Sequence, residues 1–455
     1  MTHAVYAVSE NGRAAENGRA AEPQDSPAQL AVLPERGTLR SVAIVGLGYV
    51  GLPTALGLHD SSLTVFGIDV SGHRLAAIRA GTVDLVAADQ ERLGDALTDT
   101  DFHLTDDAAD VAMADAVIIC VPTPLDRHLT PHLRPLSSAC RAVVEHARPG
   151  QTIILTSTSF AGTARELLAE PLEKRGFTIG TDIYVAFSPE RIDPGVPNHT
   201  QHATPRVVGG VSAECTARAT EVLRRLTSSV HPVSSPEAAE MTKLYENTFR
   251  AVTLALANEF AEICGTMSLD PIEVTLAAAT KPYGFLASFP GPGVGGHCIP
   301  CDPHYLLWQL RRLRRNAPIT ETAMASIAAR PKHVVDRAGE VLSDAARGLR
   351  GSRVLVVGVS YKPGVQDLRE SSALEILVEL KRRGAEVSYH DPLIPHITLP
   401  DGSRLSSEPQ PHGRDWDLAV MHTLHPGFDY QWVKACPRVL DGTYRFDPAA
   451  RHAVV

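Results

Sequence analysis

A short segment of the sequence combines a cysteine with several glycines and prolines, which can bring backbone N–H groups close to a ligand. It runs Phe289-Pro-Gly-Pro-Gly-Val-Gly-Gly-His-Cys-Ile-Pro-Cys-Asp-Pro303, inside a Gly/Pro-rich stretch that starts at Phe285. Its first half cannot propagate a helix or a central strand, so we expect a shaped loop that delivers Cys298. Cys298 would be a nucleophile if positive charge or hydrogen bonds stabilise its thiolate. The alternative is a small buried thiol, the interpretation that we give to Cys120, Cys140, Cys215, Cys264 and Cys436.

Cys298 and Cys301 also form a Cys-x-x-Cys pair, which occurs in zinc sites and in redox proteins. A structural zinc needs four ligands, and His297 and His304 are not accompanied by a second such pair, so we predict no metal. The context is not that of a thioredoxin-like motif. We expect Cys301 to be unnecessary for turnover but able to form a disulfide with Cys298 under oxidation.

Lys243 and Asn247 lie four residues apart within a long helical pattern and therefore share a face. A lysine on a helix is usually a solvated charge. A Lys and an Asn on one stripe can also stabilise a developing oxyanion, and spacing alone leaves both interpretations open.

The sequence Gly46-Leu-Gly48-Tyr-Val-Gly51 follows a strand pattern and opens a helix, the context of a dinucleotide-binding turn. Asp69, at the end of the next predicted strand, is placed to bind a ribose diol and to repel a 2′-phosphate. The pattern therefore favours NAD over NADP. A structural glycine turn with Asp69 as a strand-end cap is the alternative.

Composition excludes several classes of protein. Among 455 residues, 52 are acidic and 43 basic, a formal net charge of −9, so there is no broad basic field for nucleic acid. Residues 41–58 are uncharged, but four glycines and Pro53 argue against a membrane span.

Residues 1–38 contain the segment NGRAAE twice and are predicted to be a disordered tail and not a signal peptide. Seven scattered cysteines predict free thiols, and we expect a cytoplasmic protein.

Strand and helix patterns alternate in both halves of the chain. This predicts an α/β protein with two Rossmann-like, doubly wound parallel sheets. Between them, a helix of more than 25 residues starts near Ser235, with Pro236 at its first position. We therefore divide the chain into a tail (1–38), an NAD-binding domain (39–233), a central helical region with the cysteine loop (234–335) and a C-terminal domain (336–455). The long helix of the central region can join domains or pair subunits.

The second α/β pattern, from Arg353, echoes the first one. Gly358 corresponds to Gly46, and the following strand again ends in an aspartate, Asp391. Ser360 stands where the first copy has Gly48, which disfavours a second pyrophosphate there. We expect the two copies to hold different ligands.

Together these residues resemble the UDP-glucose, UDP-N-acetylhexosamine and GDP-mannose dehydrogenases, a family of nucleotide-sugar 6-dehydrogenases. The matching stretches are Gly46-Leu-Gly-Tyr-Val-Gly-Leu-Pro53, Val121-Pro-Thr-Pro124, Ser157-Thr158, Phe187-Ser-Pro-Glu-Arg191, Lys243-Leu-Tyr-Glu-Asn247, Asn258-Glu259, Gly295-Gly-His-Cys298 with Asp302, and Tyr361-Lys-Pro with Asp367-Leu-Arg-Glu-Ser371. They follow the family order from about residue 40 to 445.

The resemblance implies a set of site residues. NAD would be bound by Gly46, Gly48, Tyr49, Val50, Gly51, Asp69, Arg74, Pro122, Thr123 and Thr158. Catalytic roles would fall to Cys298, Lys243, Asn247, Asp302, Glu190 and Thr158, with Glu190 or Asp302 as the base. The UDP-sugar would contact Glu190, Arg191, Lys243, Asn247, Phe285, Gly295, Gly296, Lys362 and Arg369. Lys362 and Arg369 could contact the substrate diphosphate or a partner subunit, or be solvated surface charges.

The implied reaction oxidises the sugar C6 alcohol to a carboxylate in two steps, consuming two NAD⁺ through a thiohemiacetal and a thioester on Cys298. The implied assembly is a homodimer or a higher homo-oligomer, formed through the central helix. UDP-N-acetylglucosamine and UDP-glucose are the leading substrates. A TDP- or other nucleotide-sugar, a single-step reductase or epimerase, and a non-catalytic nucleotide-sugar binding protein are the alternatives.

Some positions depart from the family pattern. Pro194 stands where many members have a second carboxylate, and Arg-x-x-Pro-Gly with Lys281-Pro-Tyr-Gly-Phe285 is closer to the N-acetylhexosamine branch. Cys301 replaces a usual aliphatic residue and Gln366 a common acidic one. These differences bear on which sugar is used more than on the reaction type.

Overall fold

The computed structural model describes residues 39–85, 87–191, 201–447, 449 and 451–455. The tail predicted at 1–38 and the position of Pro194 lie outside the described residues. Within them, no helix has the length and apolar character needed to span a membrane.

The first unit is an eight-stranded sheet with helices on both faces. Its strands are β1 (Ser41–Val45), β2 (Thr64–Ile68), β3 (Phe102–Thr105), β4 (Ala116–Ile119), β5 (Thr152–Leu155), β6 (Tyr184–Phe187), β7 (Arg206–Gly210) and β8 (Val230–Pro232); its helices are α1 (Gly51–Asp60), α2 (Gly72–Arg79), α3 (Ala87–Ala96), α4 (Arg134–His146), α5 (Glu170–Lys174) and α6 (Ala213–Leu223). The strand order is β3-β2-β1-β4-β5-β6-β7-β8. The order reverses between β1 and β4, which opens a crevice at the carboxyl ends of these strands.

This sheet confirms the predicted α/β class with one difference in strand direction. Its pairs are parallel except β6 and β7, which run antiparallel with Phe187 opposite Gly209. A strand pattern carries no information about direction, so the sequence could not show this reversal. Two apolar clusters cover the faces of the sheet, one around Ile44 and Leu56 and the other around Ile119 and Phe187.

Four helices follow the first sheet: α7 (Pro236–Thr266), α8 (Pro271–Ala279), α9 (Cys298–Arg312) and α10 (Pro318–Ser343). The long predicted helix is present as α7, with 31 residues, and Ser235 caps it by accepting a hydrogen bond from the N–H of Ala238. Helices α7, α9 and α10 pack around a small apolar core that includes Ala251, Leu307 and Ile327.

The predicted Gly/Pro-rich loop is shorter than expected. It ends at His297, and Cys298 is the first residue of α9 rather than part of a loop that continues to Pro303. Pro300 is tolerated because first-turn N–H groups have no partner inside a helix. Pro303 lies inside the helix.

The C-terminal unit repeats the α/β architecture on a smaller scale. It contains β9 (Arg353–Val357), α11 (Ser372–Arg382), β10 (Glu386–His390), β11 (His396–Thr398), β12 (Arg404–Ser406), β13 (Leu418–Met421), β14 (Val439–Asp441) and β15 (Ala453–Val454). Five strands form a parallel sheet in the order β10-β9-β13-β14-β15, and β11 pairs with β12 in a separate antiparallel ribbon. Two Rossmann-like sheets joined by long helices are therefore the architecture of this protein.

Candidate active site

The glycine turn after β1 has the backbone geometry that a dinucleotide requires. Gly46 has φ +94°, and a Cβ on Gly51 would lie 1.7 Å from the carbonyl oxygen of Gly46. A side chain at either position would thus break the turn. No atom lies within 4 Å of where a Cβ on Gly48 would be, so this side of the turn is open to a ligand. These residues fit the pyrophosphate of NAD at the start of α1.

Asp69 follows β2 and braces this turn. Its carboxylate accepts hydrogen bonds from the N–H groups of Leu47, at 2.8 Å, and Ser71, at 2.9 Å. Arg74, one turn into α2, donates from Nε to the carbonyl of Leu47 at 2.8 Å. The three predicted cofactor residues Gly46, Asp69 and Arg74 are therefore connected at the carboxyl edge of the sheet.

In the second copy of the glycine turn, after β9, a side chain of the C-terminal unit fills the space beside the acidic residue. Asp391 accepts from the N–H of Val359 at 2.7 Å, as Asp69 does from Leu47, but it also lies 3.2 Å from Nε2 of the fully buried His425. Nε2 of the same histidine is 3.3 Å from the hydroxyl of Ser360. His425 thus occupies the space beside the acidic residue, which agrees with the expectation that the two copies differ.

Residues after β4 and β5 border the crevice next to the glycine turn. Thr123 is buried, and the hydroxyl of Ser157, next to Thr158, donates to the carbonyl of Val121 at 2.8 Å. This bond ties the two loops together. The predicted residues Pro122, Thr123 and Thr158 therefore lie on adjoining strand ends.

The loop that carries Thr158 is also fixed to α7 and α9. The buried carboxylate of Glu240 on α7 accepts from the N–H groups of Gly162 and Ala164, at 2.5 and 2.8 Å. Burial raises the pKa of Glu240 to about 8, with the two N–H groups opposing the rise. Gln309 on α9 exchanges two hydrogen bonds with the backbone of Ala161. The helix headed by Cys298 is thereby anchored to the first unit.

The predicted oxyanion and base residues meet where α7 and α9 pack. Lys243 and Asn247 are both buried on α7, and Asn247 Nδ2 donates to Oδ2 of Asp302 at 2.5 Å. Asp302 is 1% exposed. Burial raises its pKa to about 6, while the charge of Lys243 and the hydrogen bond from Asn247 oppose the rise. A carboxyl with this pKa can take up and release a proton near neutrality.

Cys298 is exposed at the first position of α9, one turn before Asp302. A thiolate at this position is favoured by the positive end of the helix dipole. Cys301, by contrast, is buried, and burial raises the pKa of its thiol to about 12. Cys298 is therefore the thiol that a ligand can reach, and the disulfide with Cys301 stays a prediction.

Glu190 and Arg191, after β6, are held by ion pairs. Glu190 is paired through Oε2 with the buried Arg206, and its Oε1 accepts the N–H of Arg191 at 2.8 Å. Arg191 contacts Glu246 of α7 at 2.7 Å. Both oxygens of Glu190 are thus engaged. Local sequence gave no signal for Arg206 or Glu246, because each acts across a long separation in the chain.

The glycine loop before Cys298 is seated on the C-terminal unit. A Cβ on Gly295 or Gly296 would lie less than 3 Å from Tyr361, and Gly296 donates its N–H to the carbonyl of Arg369 at 2.9 Å. Arg369 is paired with Asp367, and its guanidinium lies over the ring of Tyr49. The structure therefore brings Gly295, Gly296 and Arg369 together with the glycine turn that follows β1.

Phe285 and Lys362 are the remaining predicted substrate residues. Phe285 is 44% exposed in the segment between α8 and α9. Lys362 is half-buried, and its carbonyl accepts from the hydroxyl of Ser360 at 3.0 Å. No group of three or more potential metal ligands occurs among the residues that the structure describes.

Comparison with known proteins agrees with this arrangement. The chain matches the NAD binding domain of the UDP-glucose/GDP-mannose dehydrogenase family over residues 40–227, its central domain over 237–326 and its UDP binding domain over 355–450. It is 32% identical over 355 residues to the UDP-N-acetyl-D-glucosamine 6-dehydrogenase of Pseudomonas aeruginosa, covering 78% of this chain and 83% of that protein. It is 33% identical over 393 residues to the UDP-N-acetyl-D-mannosamine dehydrogenase of Pyrococcus horikoshii, covering 85% and 90%.

Solved structures show the same relationship. The UDP-D-ManNAc dehydrogenase structure from Pyrococcus horikoshii superposes with a TM-score of 0.83 at 29% identity, covering 91% of this chain and 98% of that one. A UDP-glucose dehydrogenase from Pyrobaculum islandicum gives 0.79 at 25% identity, covering 93% and 98%. This protein belongs to the UDP-glucose/GDP-mannose dehydrogenase family and is an NAD-dependent nucleotide-sugar dehydrogenase.

Proposed function

We propose that this enzyme oxidises C6 of a UDP-hexose, UDP-N-acetylglucosamine or UDP-glucose, from alcohol to carboxylate. The observation that carries the proposal is the junction of α7 and α9. There Cys298 is exposed at a helix N-terminus, and the buried Asp302 is hydrogen-bonded to Asn247 one turn later. A thiol is needed only if the aldehyde is captured and oxidised again, so this set supports two oxidations rather than one.

The side chains have distinct roles in the proposed reaction. Gly46, Gly48 and Gly51 would hold NAD⁺, which would supply the hydride acceptor for C6 in each oxidation. Asp302 takes the proton of the C6 hydroxyl in the first. The thiolate of Cys298 then adds to the aldehyde carbon, and the protonated Asp302 returns its proton to the resulting oxyanion, which gives a thiohemiacetal. Loss of this hydroxyl proton to Asp302 and of a hydride from the same carbon leaves a thioester. Asp302 passes that proton to solvent and then takes one from the water that attacks the thioester carbon; the C–S bond breaks, the thiolate of Cys298 is regenerated, and the product acid leaves as its carboxylate after losing the second proton to solvent.

Lys243 and Asn247 would stabilise the oxyanion at each addition. Both are buried on the face of α7 that meets Asp302, and the amide of Asn247 is held by its hydrogen bond to Asp302, so little reorganisation is needed. A preorganised donor of this kind is worth about 3 kcal/mol in the transition state.

Asp302 is a better candidate for the base than Glu190. Its pKa is raised to about 6 by burial, whereas both oxygens of Glu190 are engaged by Arg206 and the N–H of Arg191. We assign Glu190, Arg191 and Thr158 to the organisation of the site around the sugar and the attacking water.

The remaining predicted contacts define the sugar-nucleotide site. We propose that Phe285, Gly295 and Gly296 line the sugar pocket and that Lys362 and Arg369 provide positive charge for the diphosphate. The N-acetylated sugar is favoured because relatives with 32% and 33% identity are named for N-acetylhexosamine substrates. TDP-sugars remain the alternative.

We further propose that the central region, 234–335, forms a homodimer through α7. Exposed apolar side chains follow one stripe of this helix at Tyr245, Phe249, Leu256, Phe260 and Ile263, and the C-cap residue Met267 continues it. At 100° per residue they fall within about 60° of arc, opposite the face of Lys243 and Asn247, and the stripe from Tyr245 to Ile263 is about 27 Å long. A second copy of the same helix can cover such a stripe, because a two-fold axis pairs it with itself.

The stoichiometry of NADH tests the reaction. UDP-N-acetylglucosamine, UDP-glucose, UDP-N-acetylmannosamine and TDP-glucose would be supplied in turn, and NADH measured per sugar consumed. Two NADH per sugar and a carboxylate product support the proposal. One NADH would indicate a simple dehydrogenase, and none with any of the four, despite measurable binding, would indicate a binding protein; either result overturns it.

A further inference from the structure

The peptide of Gly291, seven residues before Cys298, is held by helices on both sides. Its N–H donates to Oδ1 of Asn258 on α7 at 2.9 Å, and its carbonyl accepts from Nε of Arg330 on α10 at 3.0 Å. Two directional hydrogen bonds fix both the position and the tilt of this peptide plane. Gly291 is therefore where the cysteine loop is attached to the helical region.

Arg330 is itself held in a single orientation. Its side chain is 2% exposed, and Nη1 lies 2.8 Å from Oε1 of Glu262 on α7. Nη2 donates to the hydroxyl of Tyr444 at 3.2 Å and to the carbonyl of Val455 at 3.4 Å. A guanidinium is buried at an acceptable cost only when its donors are satisfied, so these partners fix its position. Through Tyr444, Arg330 also connects the loop to the C-terminal unit.

The loop between Gly291 and Cys298 has little freedom once Gly291 is fixed. A Cβ on Gly293 would lie 2.3 Å from Cβ and Oγ of Ser372, so this backbone lies directly on α11. Gly296 is bonded to the carbonyl of Arg369. The chain is thus anchored at three places before it delivers the thiol.

We propose that Arg330 is a positioning residue for Cys298, acting through the carbonyl of Gly291 and coupling the placement of the thiol to the C-terminal unit. The inference rests on the proposed role of Cys298 as the nucleophile. It adds a residue 32 positions away in sequence that does not itself reach the reacting atoms.

The test compares Arg330→Met with Arg337→Met in the full-length enzyme. Arg337 is on the same helix, and its hydrogen bonds go to Val454 and Glu340, so it controls for loss of a cation beside the end of the chain. The first readout is the rate at which iodoacetamide alkylates Cys298, followed by peptide mass spectrometry. This measurement needs no sugar and is therefore independent of the proposed reaction.

Arg330→Met should change the alkylation rate of Cys298 at least about threefold, because access and thiolate stabilisation depend on the loop. With a UDP-sugar that gives turnover, kcat should fall about 10- to 100-fold with a KM for NAD⁺ within about twofold of wild type. Arg337→Met should match wild type. Equal alkylation rates in both variants would overturn the proposal, whether or not any sugar is oxidised.

A second pair of variants covers the case in which Arg330→Met does not fold. Tyr444→Phe and Glu262→Gln each keep Arg330 but remove or weaken one of its anchors. A change in the alkylation rate in either variant, with an unchanged melting temperature, supports positioning by Arg330. Wild-type rates in both would show that the anchors of Arg330 do not govern the thiol.

Discussion

The guanidinium carbon of Arg369 lies 4.3 Å from the centroid of the Tyr49 ring. Tyr49 belongs to the glycine turn of the first unit, and Arg369 precedes α11 in the C-terminal unit. The guanidinium of Arg369 also donates to both carboxylate oxygens of Asp367, and the backbone carbonyl of Arg369 accepts the N–H of Gly296. The contacts of Arg369 therefore join the glycine turn, the loop before Cys298 and the C-terminal unit.

Removal of the ring at Tyr49 should weaken NAD⁺ binding and the contact between the units. A cation–π pair at a partly exposed site contributes about 0.5–1 kcal/mol, so Tyr49→Leu should raise the Kd for NAD⁺ about two- to fivefold. Tyr49→Phe keeps the ring face and serves as the control. Titration of NAD⁺ by calorimetry measures both, and equal affinities in the two variants would contradict a role for the ring.

Asp302 should give the pH–rate profile an acidic limb. It acts as a base only when ionised, and burial raises its pKa to about 6, so kcat should fall about tenfold per pH unit below that value. Asp302→Asn keeps an acceptor for Asn247 but should remove the limb along with most of the activity. Glu240→Gln, at another buried carboxyl, should retain the limb. A profile that is flat from pH 5 to 8 in wild type would exclude Asp302 as the base.

Much of the site was predictable because its signals are local. The turn at Gly46 and the cap at Ser235 each follow from a few neighbouring residues, and the structure shows both. Asp69 lies beside the turn as its position predicts, and its contact with a ribose stays a prediction. Arg206 and Arg330 could not be found in this way. Each is buried against partners far along the chain, 16 residues away for Glu190 and 68 for Glu262, and nothing in the adjoining residues marks them.

The residue at which α9 begins is a second feature that could not be predicted from the sequence. The Gly/Pro-rich loop predicted from Phe285 to Pro303 ends at His297, because the first turn of a helix tolerates Pro300, and the hydrogen bonds of Gln309 to Ala161 hold α9 on the first unit. Packing on the first unit, which the sequence does not display, decides where this helix begins.

Asp69 should determine the preference for NAD⁺ over NADP⁺. Its charge would repel a 2′-phosphate, so Asp69→Asn should reduce the ratio of kcat/KM for NAD⁺ to that for NADP⁺ at least about tenfold. Asp391→Asn is the matched control, since Asp391 occupies the corresponding place in the second copy and is paired with His425. An unchanged ratio in Asp69→Asn would refute the assignment.

An acidic residue within the exposed stripe of α7 should separate a homodimer. Leu256 is 58% exposed near the middle of the stripe, so Leu256→Glu would place two charges near each other at a two-fold interface. Light scattering should show the mass falling from that of a dimer to that of one 48.8 kDa chain. Met113→Glu introduces the same charge at an exposed apolar residue of the first unit and should leave the mass unchanged. A monomeric wild type would contradict the proposed interface.

Cys298→Ser should separate the two oxidations. A serine hydroxyl is far less ionised and less nucleophilic than a thiol, so the aldehyde should not be captured efficiently, and turnover to the carboxylate should fall about 10³-fold or more. The NADH released per sugar in a single turnover should drop from two to one, with an aldehyde-level product. Cys301→Ser is the matched control: its buried thiol, with a pKa raised to about 12, forms almost no thiolate at neutral pH, so two NADH should still appear. If Cys298→Ser also released two NADH at the wild-type rate, a thioester on this residue would be excluded and the aldehyde would have to be oxidised as its hydrate.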